Sequence, residues 1–184
     1  EDHVSEGPKS VLLRSAGKPI LGVSLKVVDH ESGETLPDGE VGEIWIKTLQ
    51  NMKAYWRNPQ ATNEAFVDRD SDGLGWFRSG DAGFLQDGYL FLHDRIKDMI
   101  VSGGENIYPA EIENAMMKHP EIADIAAFGV PDAQWGESVK ACVVLKPGSM
   151  YHDDLKASSA AIISWTRDRL AHFKCPRSID FVES

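Results

Sequence analysis

Cysteine is scarce in this sequence, which has only Cys142 and Cys175 among its 184 residues. The two cysteines form no CxxC pair, and no histidine stands at zinc-ligand spacing from them. We therefore expect neither a disulfide framework nor a structural zinc site. The six histidines form no spaced cluster, and no metal site is predicted from them. Two reduced thiols are typical of a cytosolic protein, so we predict a cytoplasmic location.

Long apolar runs are also missing. No stretch approaches the roughly 20 apolar residues of a membrane-spanning helix, so no transmembrane segment is predicted. The first residues, Glu1-Asp2-His3, provide neither the positive region nor the apolar region of a signal peptide. Because the sequence does not begin with Met, we expect a processed product or a piece trimmed from a longer chain.

Basic residues are outnumbered, with 19 Lys and Arg against 29 Asp and Glu and a net charge of -10. This excess of negative charge argues against non-specific binding to nucleic acid or to an anionic membrane surface. The remaining composition, 42% hydrophobic and 26% charged, is typical of an ordinary globular protein.

Several motifs of phosphate binding and catalysis are absent. The sequence contains no GxxxxGKS or GxxxxGKT phosphate loop, no GxGxxG, no HExxH and no GxSxG. Residues 68–73 (DRDSDG) imitate the start of a calcium loop, but the twelfth position is Ser79 where calcium requires a bidentate Glu. We interpret this segment as an acidic, solvated loop.

The first half of the chain is rich in glycine and in short β-like runs. Residues 23–28 and 41–46 are predicted strands separated by turn residues. Asn58-Pro59 is typical of an N-cap followed by proline in the first helical turn, which predicts a short helix ending near Phe66. A second β-rich stretch covers 76–93. These patterns indicate a small antiparallel sheet or barrel.

The second half has a different pattern. Pro109 opens a predicted helix, residues 122–130 and 139–145 are predicted strands, and a longer helix is expected from Asp154 to about residue 170. Together these elements predict a compact α+β unit with a short sheet and flanking helices. The whole chain is therefore predicted to be α+β, with units at 1–94 and 99–184 joined by a hinge at 95–98.

Three charged positions at or before that hinge are candidate site residues. Gly80 permits a tight turn that would present Asp81 outward from the end of a strand, and a carboxylate can accept hydrogen bonds from both hydroxyls of a ribose. An aspartate that stabilises its own turn is the alternative, and the residues alone favour it. Arg95 either pairs with Asp81 or contacts a nucleotide. Lys97 is expected at a solvated joint, although 94–98 also fits a surface turn with ion pairs.

Two further candidate regions lie in the second half. Gly103 and Gly104 permit a close approach between backbone and ligand, and a plain tight turn explains them equally well. Trp135, Phe173 and Arg177 offer two rings and a cation, which suit an adenine with phosphates. Ordinary surface packing of the two rings is the alternative.

Taken together, these segments are more specific than any one of them. In order along the chain, they resemble the carboxyl-terminal part of acyl-CoA synthetases in the adenylate-forming superfamily, from about Ser10 to the last residue. The resemblance is carried by Gly42-Glu43-Ile44-Trp45, Tyr55-Trp56-Arg57-Asn58-Pro59, Trp76-Phe77-Arg78-Ser79-Gly80-Asp81, Asp94-Arg95-Ile96-Lys97-Asp98, the run from Gly103 through Tyr108-Pro109 to Glu113, and Trp135-Gly136-Glu137.

The resemblance implies a two-step ligation with ATP and CoA as co-substrates. A carboxylate attacks the α-phosphate of ATP to give an acyl-adenylate and pyrophosphate. The small C-terminal domain then rotates, and the thiol of CoA attacks the adenylate. Mg²⁺ is expected with ATP, but its ligands are not expected in this chain. Fatty acids are the predicted acids, and aryl acids are the alternative. CoA is the predicted thiol, and a carrier-protein thiol is the alternative.

The resemblance also implies roles for individual residues. Asp81 matches the acid that holds the ribose hydroxyls, and Arg95 matches an arginine that contacts the nucleotide. Lys97 falls at the hinge between the end of the large adenylation domain and the small domain. Gly103 and Gly104 match the loop that lines the pantetheine tunnel. Trp135, Phe173 and Arg177 match a CoA nucleotide site more loosely. Cys175 stands where some relatives carry Arg.

Several parts of a complete family member are not in this sequence. In relatives the Ser/Thr/Gly-rich phosphate loop, the adenine-binding segment and the acyl pocket lie upstream, and the lysine that assists adenylation lies a short distance beyond Ser184. No catalytic residue is therefore assigned here. We expect a fragment without ligase activity of its own. The alternative is a free-standing accessory or interaction domain that has the fold without the chemistry.

Overall fold

The structure is a computed structural model that describes residues 6–183. Glu1, Asp2 and His3, on which the expectation about a signal peptide rests, lie outside the described residues. No helix within 6–183 has the length and apolar character needed to cross a membrane. The described strands are β1 (Ser24–Val28), β2 (Gly42–Lys47), β3 (Phe66–Val67), β4 (Trp76–Gln86), β5 (Tyr89–Arg95), β6 (Ile100–Ser102), β7 (Glu105–Ile107), β8 (Ile122–Asp132), β9 (Gly136–Leu145) and β10 (Ser178–Phe181).

Three α-helices and four short 3-10 helices complete the described elements. The α-helices are α1 (Pro59–Ala65), α2 (Pro109–Met116) and α3 (Leu155–Arg167), and the 3-10 helices are Pro8–Arg14, Ile96–Asp98, Met150–His152 and His172–Lys174. The elements group into two compact units, one ending at Ile96 and the other beginning at Lys97. With two sheets and three α-helices, the predicted α+β class is confirmed.

The first unit is built on a five-stranded antiparallel sheet. Its order is β1-β2-β4-β3, and β5 also pairs with β4. Strands β4 and β5 are joined by Asp87 and Gly88, which both have positive φ (52° and 77°), as two-residue hairpin turns prefer. Helix α1 begins where the sequence predicted, because the Asn58 side chain accepts a hydrogen bond from the backbone N of Ala61 at 3.0 Å.

The second unit has its own five-stranded sheet and its own core. Its strand order is β10-β9-β6-β7, with β8 antiparallel to β9 and β10 parallel to it. Helices α2 and α3 contribute the buried Ile112, Met116 and Ile162 to a cluster with residues of the sheet. Burial of this apolar surface stabilises the unit. The predicted strands and both predicted helices are present, although α3 ends at Arg167 and not near residue 170.

Candidate functional site

Asp81 lies within β4 and not at the end of a strand, which corrects the expected tight turn. In the pairing of β2 with β4, Glu43 faces Ala82 and Trp45 faces Arg78. The segment 79–81 therefore bulges opposite a single residue of β2. Gly80, with φ of 71°, supplies the left-handed backbone conformation of this β-bulge. A bulge within a continuous strand, not a strand-ending turn, presents Asp81.

Two hydrogen bonds of Ser79 fasten the bulge. Its hydroxyl donates to the carbonyl oxygen of Ile44 at 2.7 Å. The Oγ of Ser79 also accepts a hydrogen bond from the backbone N of Asp81 at 3.0 Å. The backbone of Asp81 is thus tied to β2 through one side chain, which fixes the position from which its carboxylate projects.

Asp81 and Arg95 meet across β4 and β5. They are register partners, and the Nε of Arg95 lies 3.0 Å from Oδ1 of Asp81. The Arg95 side chain is 59% exposed and the Asp81 side chain 38%. An ion pair this exposed adds at most about 1 kcal/mol to stability. The pair is therefore poorly explained as a stabilising device, and both groups are accessible to a ligand.

Lys97 lies at the junction of the two units. It is exposed and belongs to the 3-10 helix Ile96–Asp98, which follows β5 directly. One turn of 3-10 helix is a common connector and contributes little packing.

Gly103 and Gly104 form the two-residue turn between β6 and β7. Both have positive φ (62° and 86°), and Ser102 pairs with Glu105 on either side of them. Gly103 also donates its backbone N–H to the carbonyl oxygen of Trp135 at 2.9 Å. A Cβ atom on Gly103 would come within 2.8 Å of the Trp135 ring, so the hairpin approaches this tryptophan as closely as glycine allows.

The Trp135 loop is ordered by Asp132. Its Oδ1 accepts hydrogen bonds from the backbone N of Gln134 at 2.9 Å and of Trp135 at 3.0 Å. These two hydrogen bonds, with a smaller contribution from the charge of Arg177, lower the pKa of the Asp132 carboxyl. The Arg177 guanidinium lies 5.4 Å from the centre of the Trp135 ring, a cation–π contact.

The second-unit candidates are thus brought together in part. Gly103, Trp135 and Arg177 form one group, and Trp135 is 38% exposed. Phe173, 49% exposed, has its described ring contact with Lys174, whose ammonium lies 5.8 Å from the ring centre. We therefore define the hairpin–Trp135 group as Gly103, Gly104, Trp135 and Arg177, and treat Phe173 separately.

The sequence pattern predicted neither a site role for Glu43 nor a pairing of Glu111 with Lys174. Glu43 is buried in the first sheet and holds four donors. The Lys174 ammonium lies 2.7 Å from the Glu111 carboxylate, which ties the segment before Cys175 to α2. A carboxylate within an otherwise apolar strand was the signal for Glu43. Nothing local pairs Glu111 with Lys174, because they are distant in the sequence.

Cys175 follows Lys174 in the sequence and is buried. Its Sγ lies 3.5 Å from the carbonyl oxygen of Ala171. Burial raises the pKa of the Cys175 thiol, so the thiolate is disfavoured and the residue is suited to packing, not to nucleophilic chemistry.

No metal centre is formed within residues 6–183, where no group of three His, Cys, Asp or Glu side chains is arranged to hold an ion. In the segment that imitates a calcium loop, Asp70 Oδ1 accepts hydrogen bonds from the backbone N of Asp72 at 3.0 Å and of Leu74 at 2.8 Å. This carboxylate therefore stabilises its own turn.

Comparison with known families places the chain. Residues 3–56 match the model of the AMP-binding enzyme, and residues 111–184 match the AMP-binding enzyme C-terminal domain. Together the two matches cover more than half of the sequence. The chain belongs to the AMP-binding enzyme family. The resemblance to adenylate-forming acyl-CoA synthetases is thereby confirmed at the level of the family.

Among curated relatives, the chain is 43% identical over 178 residues to a fatty acid–[acyl-carrier-protein] ligase, ScoC, of Streptomyces coeruleorubidus, covering 96% of this chain and 32% of that protein. It is 44% identical over 182 residues to a feruloyl-CoA synthase of Amycolatopsis, covering 98% of this chain and 33% of that protein. The chain thus spans about a third of the length of the curated relatives it matches.

Solved structures give the same result. ATP-bound MatB from Rhodopseudomonas palustris superposes with a TM-score of 0.81 at 37% identity, over 93% of this chain and 32% of that chain. The o-succinylbenzoate CoA synthetase MenE of Bacillus subtilis, in complex with its acyl-adenylate intermediate OSB-AMP, superposes with a TM-score of 0.78 at 34% identity, over 94% of this chain and 32% of that chain.

Proposed function

We propose that this chain is the carboxyl-terminal part of an ATP-dependent carboxylate–CoA ligase. In the first step a carboxylate oxygen bonds to the α-phosphorus of ATP and the bond to pyrophosphate breaks. In the second step a thiol sulfur bonds to the acyl carbon, and AMP leaves. The observation that carries the proposal is the accessible Asp81–Arg95 pair, held on a bulge that fixes the Asp81 backbone.

In this proposal Asp81 binds the ribose of ATP. Its two carboxylate oxygens accept one hydrogen bond from each ribose hydroxyl. Arg95 donates to the same carboxylate and to the nucleotide, which orients Asp81 and adds positive charge beside the phosphates. Neither residue transfers a proton, and no catalytic residue is proposed in this chain. Both act by holding ATP in line for attack.

Lys97 serves as the hinge residue in this proposal. The small domain (99–184) turns about 95–98 relative to the part of the large domain in 1–94, so that different faces serve the two steps. Exposure of Lys97 and its place between two compact units support this role. A hinge requires a few residues that change backbone conformation without breaking a core.

In this proposal the hairpin–Trp135 group serves the second step. Gly103 and Gly104 let the pantetheine arm approach the backbone, since neither carries a side chain. Trp135 offers a ring and Arg177 a cation, which suit the adenine and phosphates of CoA. Phe173 offers a second exposed ring nearby in the sequence. The close contact between Gly103 and Trp135 supports treating these residues as one site.

The acid and the thiol acceptor are proposed at a coarser level. We favour fatty acids, and the names of the relatives include a fatty acid ligase that acts on a carrier protein and a feruloyl-CoA synthase. Aryl acids and a carrier-protein thiol are therefore the specific alternatives. Mg²⁺ would accompany ATP, but the residues described here do not form a site for it, so no step is assigned to it. Two free cysteines support a cytoplasmic location.

Two assays test the proposal. The natural full-length protein is incubated with ATP, a panel of fatty and aryl acids, and either CoA or a pantetheinylated carrier protein. Acid-dependent AMP release is expected, and its absence with every acid would favour the accessory domain. In the second assay the 184-residue chain is tested for acid-dependent exchange between pyrophosphate and ATP. We expect background rates; sustained exchange would contradict the proposal that the chain alone is inactive.

A further inference from the structure

Glu43 is a charged residue in the middle of the first sheet. Its side chain is 4% exposed, although glutamate is rarely buried unless paired. The carboxylate accepts hydrogen bonds from Trp45 Nε1 at 2.9 Å and from Arg78 Nε at 3.1 Å, and Arg78 NH2 lies 3.1 Å from the same Oε2. Its other oxygen, Oε1, accepts from the backbone N of Gly80 at 3.3 Å. Every contact is made within the first unit.

Stability alone does not explain this arrangement. Removing a carboxylate from water is costly, and a buried ion pair is often no more stabilising than an apolar residue of similar volume. The neighbouring buried positions Val28 and Ile44 are apolar, so the sheet accommodates such residues here. The contacts of Glu43 suggest a reason for the charge, because two of its partners lie on β4 at the bulge.

These contacts flank Ser79, which lies two positions before Asp81. Arg78 and Gly80 stand on either side of Ser79, whose hydroxyl holds the backbone of Asp81. One carboxylate oxygen fixes the entry to the bulge through Arg78, and the other fixes the residue next to Asp81. The bulge is thus held from β2 by two independent ties, the Glu43 carboxylate and the carbonyl oxygen of Ile44.

We propose that Glu43 is a positioning residue, which sets the place of the Asp81 carboxylate for binding ribose hydroxyls through its hydrogen bonds to Arg78 and Gly80. This inference rests on the nucleotide-binding role proposed above. Glu43 does not touch the nucleotide. Its effect is geometric, because hydrogen bonds to both ribose hydroxyls tolerate little displacement of the carboxylate.

Two variants separate the charge of Glu43 from its reach. Glu43→Gln keeps the size of the side chain but replaces one carboxylate oxygen by an NH2 donor, which must face either the donors of Arg78 and Trp45 or the backbone N–H of Gly80. Glu43→Asp keeps the charge that pairs with Arg78 but is shorter by one methylene, so it loses the hydrogen bond to Gly80. The matched control is Glu40→Gln, an exposed glutamate three positions earlier in the same segment.

The first measurement is made on the 184-residue chain by NMR. We expect both Glu43 variants to move the resonances of the Gly80 amide, the Asp81 carboxyl carbon and the Arg95 Nε–H, while residues of the second unit stay unchanged. Glu40→Gln should leave all three resonances in place. If the Asp81 and Arg95 resonances do not move in folded Glu43 variants, the proposal is overturned, whatever the enzyme assays show.

The second measurement uses the full-length enzyme and compares its three substrates. We expect KM for ATP to rise about tenfold in both variants, with KM for the acid and for CoA unchanged. A purely structural role would instead lower the apparent kcat of the reaction in proportion to the loss of folded protein. If the wild-type enzyme adenylates acids but ATP KM is unchanged in the variants, the role of Glu43 fails and the proposed function stands.

If the wild-type protein adenylates no acid, the proposed function fails, and with it the assignment of ribose to Asp81. The NMR result then still decides whether Glu43 holds the Asp81 carboxylate in place. Glu43→Asp keeps a carboxylate that pairs with Arg78. The test therefore does not depend on whether Glu43→Gln folds.

Discussion

At the scale of single residues, Gly103 and Gly104 share a backbone conformation but differ in their surroundings. A Cβ on Gly103 would press against the Trp135 ring, whereas a Cβ on Gly104 would have no neighbour within 4 Å. Both have positive φ, which costs a residue with a side chain about 1–2 kcal/mol. The pair thus separates the cost of backbone strain from the cost of steric conflict.

We predict that Gly103→Ala lowers the free energy of unfolding by more than Gly104→Ala. Gly104→Ala should cost about 1–2 kcal/mol from strain alone, and Gly103→Ala should cost more because the Trp135 ring must move. Urea denaturation of the two variants measures the difference. In a Trp135→Ala background, Gly103→Ala should lose no more unfolding free energy than Gly104→Ala does. Equal losses in the two single glycine variants would contradict the predicted contact.

His119 gives the protein a pH-sensitive residue in its second unit. It is buried beside the rings of Tyr151 and Trp165, and its Nδ1 accepts the backbone N–H of Glu121 at 3.2 Å. Burial is the main cause that lowers the pKa of His119, and the charge of Glu121 opposes it. The folded state therefore prefers the neutral imidazole.

We predict that acid destabilises the fold through His119. Because its pKa is lower in the folded than in the unfolded state, the unfolded chain binds the proton first. The contribution is complete above pH ~6.5 and is lost as the pH falls, by at most about 1.4 kcal/mol per pH unit. Urea denaturation from pH 7.5 to 5 should give a flatter pH dependence for His119→Asn than for wild type. The exposed control His30→Asn should behave like wild type.

At the scale of elements, α1 and α3 begin where a short polar side chain accepts hydrogen bonds from the backbone. Asp154 Oδ1 accepts hydrogen bonds from the backbone N of Lys156 and of Ala157, both at 3.0 Å, and so caps α3. The helix buries Ile162 and Thr166 in the second unit, so its start affects the position of core residues. Capping and packing are therefore coupled in α3.

We predict that Asp154→Ala lowers the free energy of unfolding by about 1 kcal/mol, since two backbone donors lose their acceptor. The control is Asp153→Ala, one residue earlier and exposed, which lies outside the cap. Amide hydrogen exchange should be faster in the first turn of α3 in the Asp154 variant only. If both variants exchange equally, the cap contributes nothing to stability.

At the scale of the whole molecule, the two units differ in how their stability is built. The core cluster of the second unit is drawn entirely from residues 100–179. A unit with its own core is expected to fold by itself. The first unit is a sheet whose buried residues include Val28, Ile44 and Phe91, and α1 is the one α-helix described within it.

We predict that residues 97–184 fold cooperatively without the first unit. The isolated piece should give a dispersed NMR spectrum and a single unfolding transition, because the core needs no residue before Ile100. Ile162→Ala should shift that transition strongly, by about 2–5 kcal/mol, since Ile162 is fully buried. A collapsed piece without dispersed resonances would show that the first unit completes the fold.

Local signals in the sequence predicted the helix starts correctly. Asn58, Pro109 and Asp154 each carry their information within one turn of helix, where capping acts. The short strands β7 and β10 were not predicted, because three or four residues show no period and such strands exist only through their partners. The predicted strand-ending turn at Asp81 was wrong for a related reason, because the bulge that presents Asp81 is set by the pairing of β2 with β4.

The sequence by itself determined the α+β class, the family resemblance and the identities of Asp81, Arg95 and Lys97 as candidates, since caps, turns and ordered motifs are local in the chain. Only the tertiary structure decided which of these side chains meet. The Asp81–Arg95 pair, the contact of Gly103 with Trp135 and the burial of Glu43 join segments that are separate in sequence. Strand register and side-chain packing bring them together, and neither is encoded in any single segment.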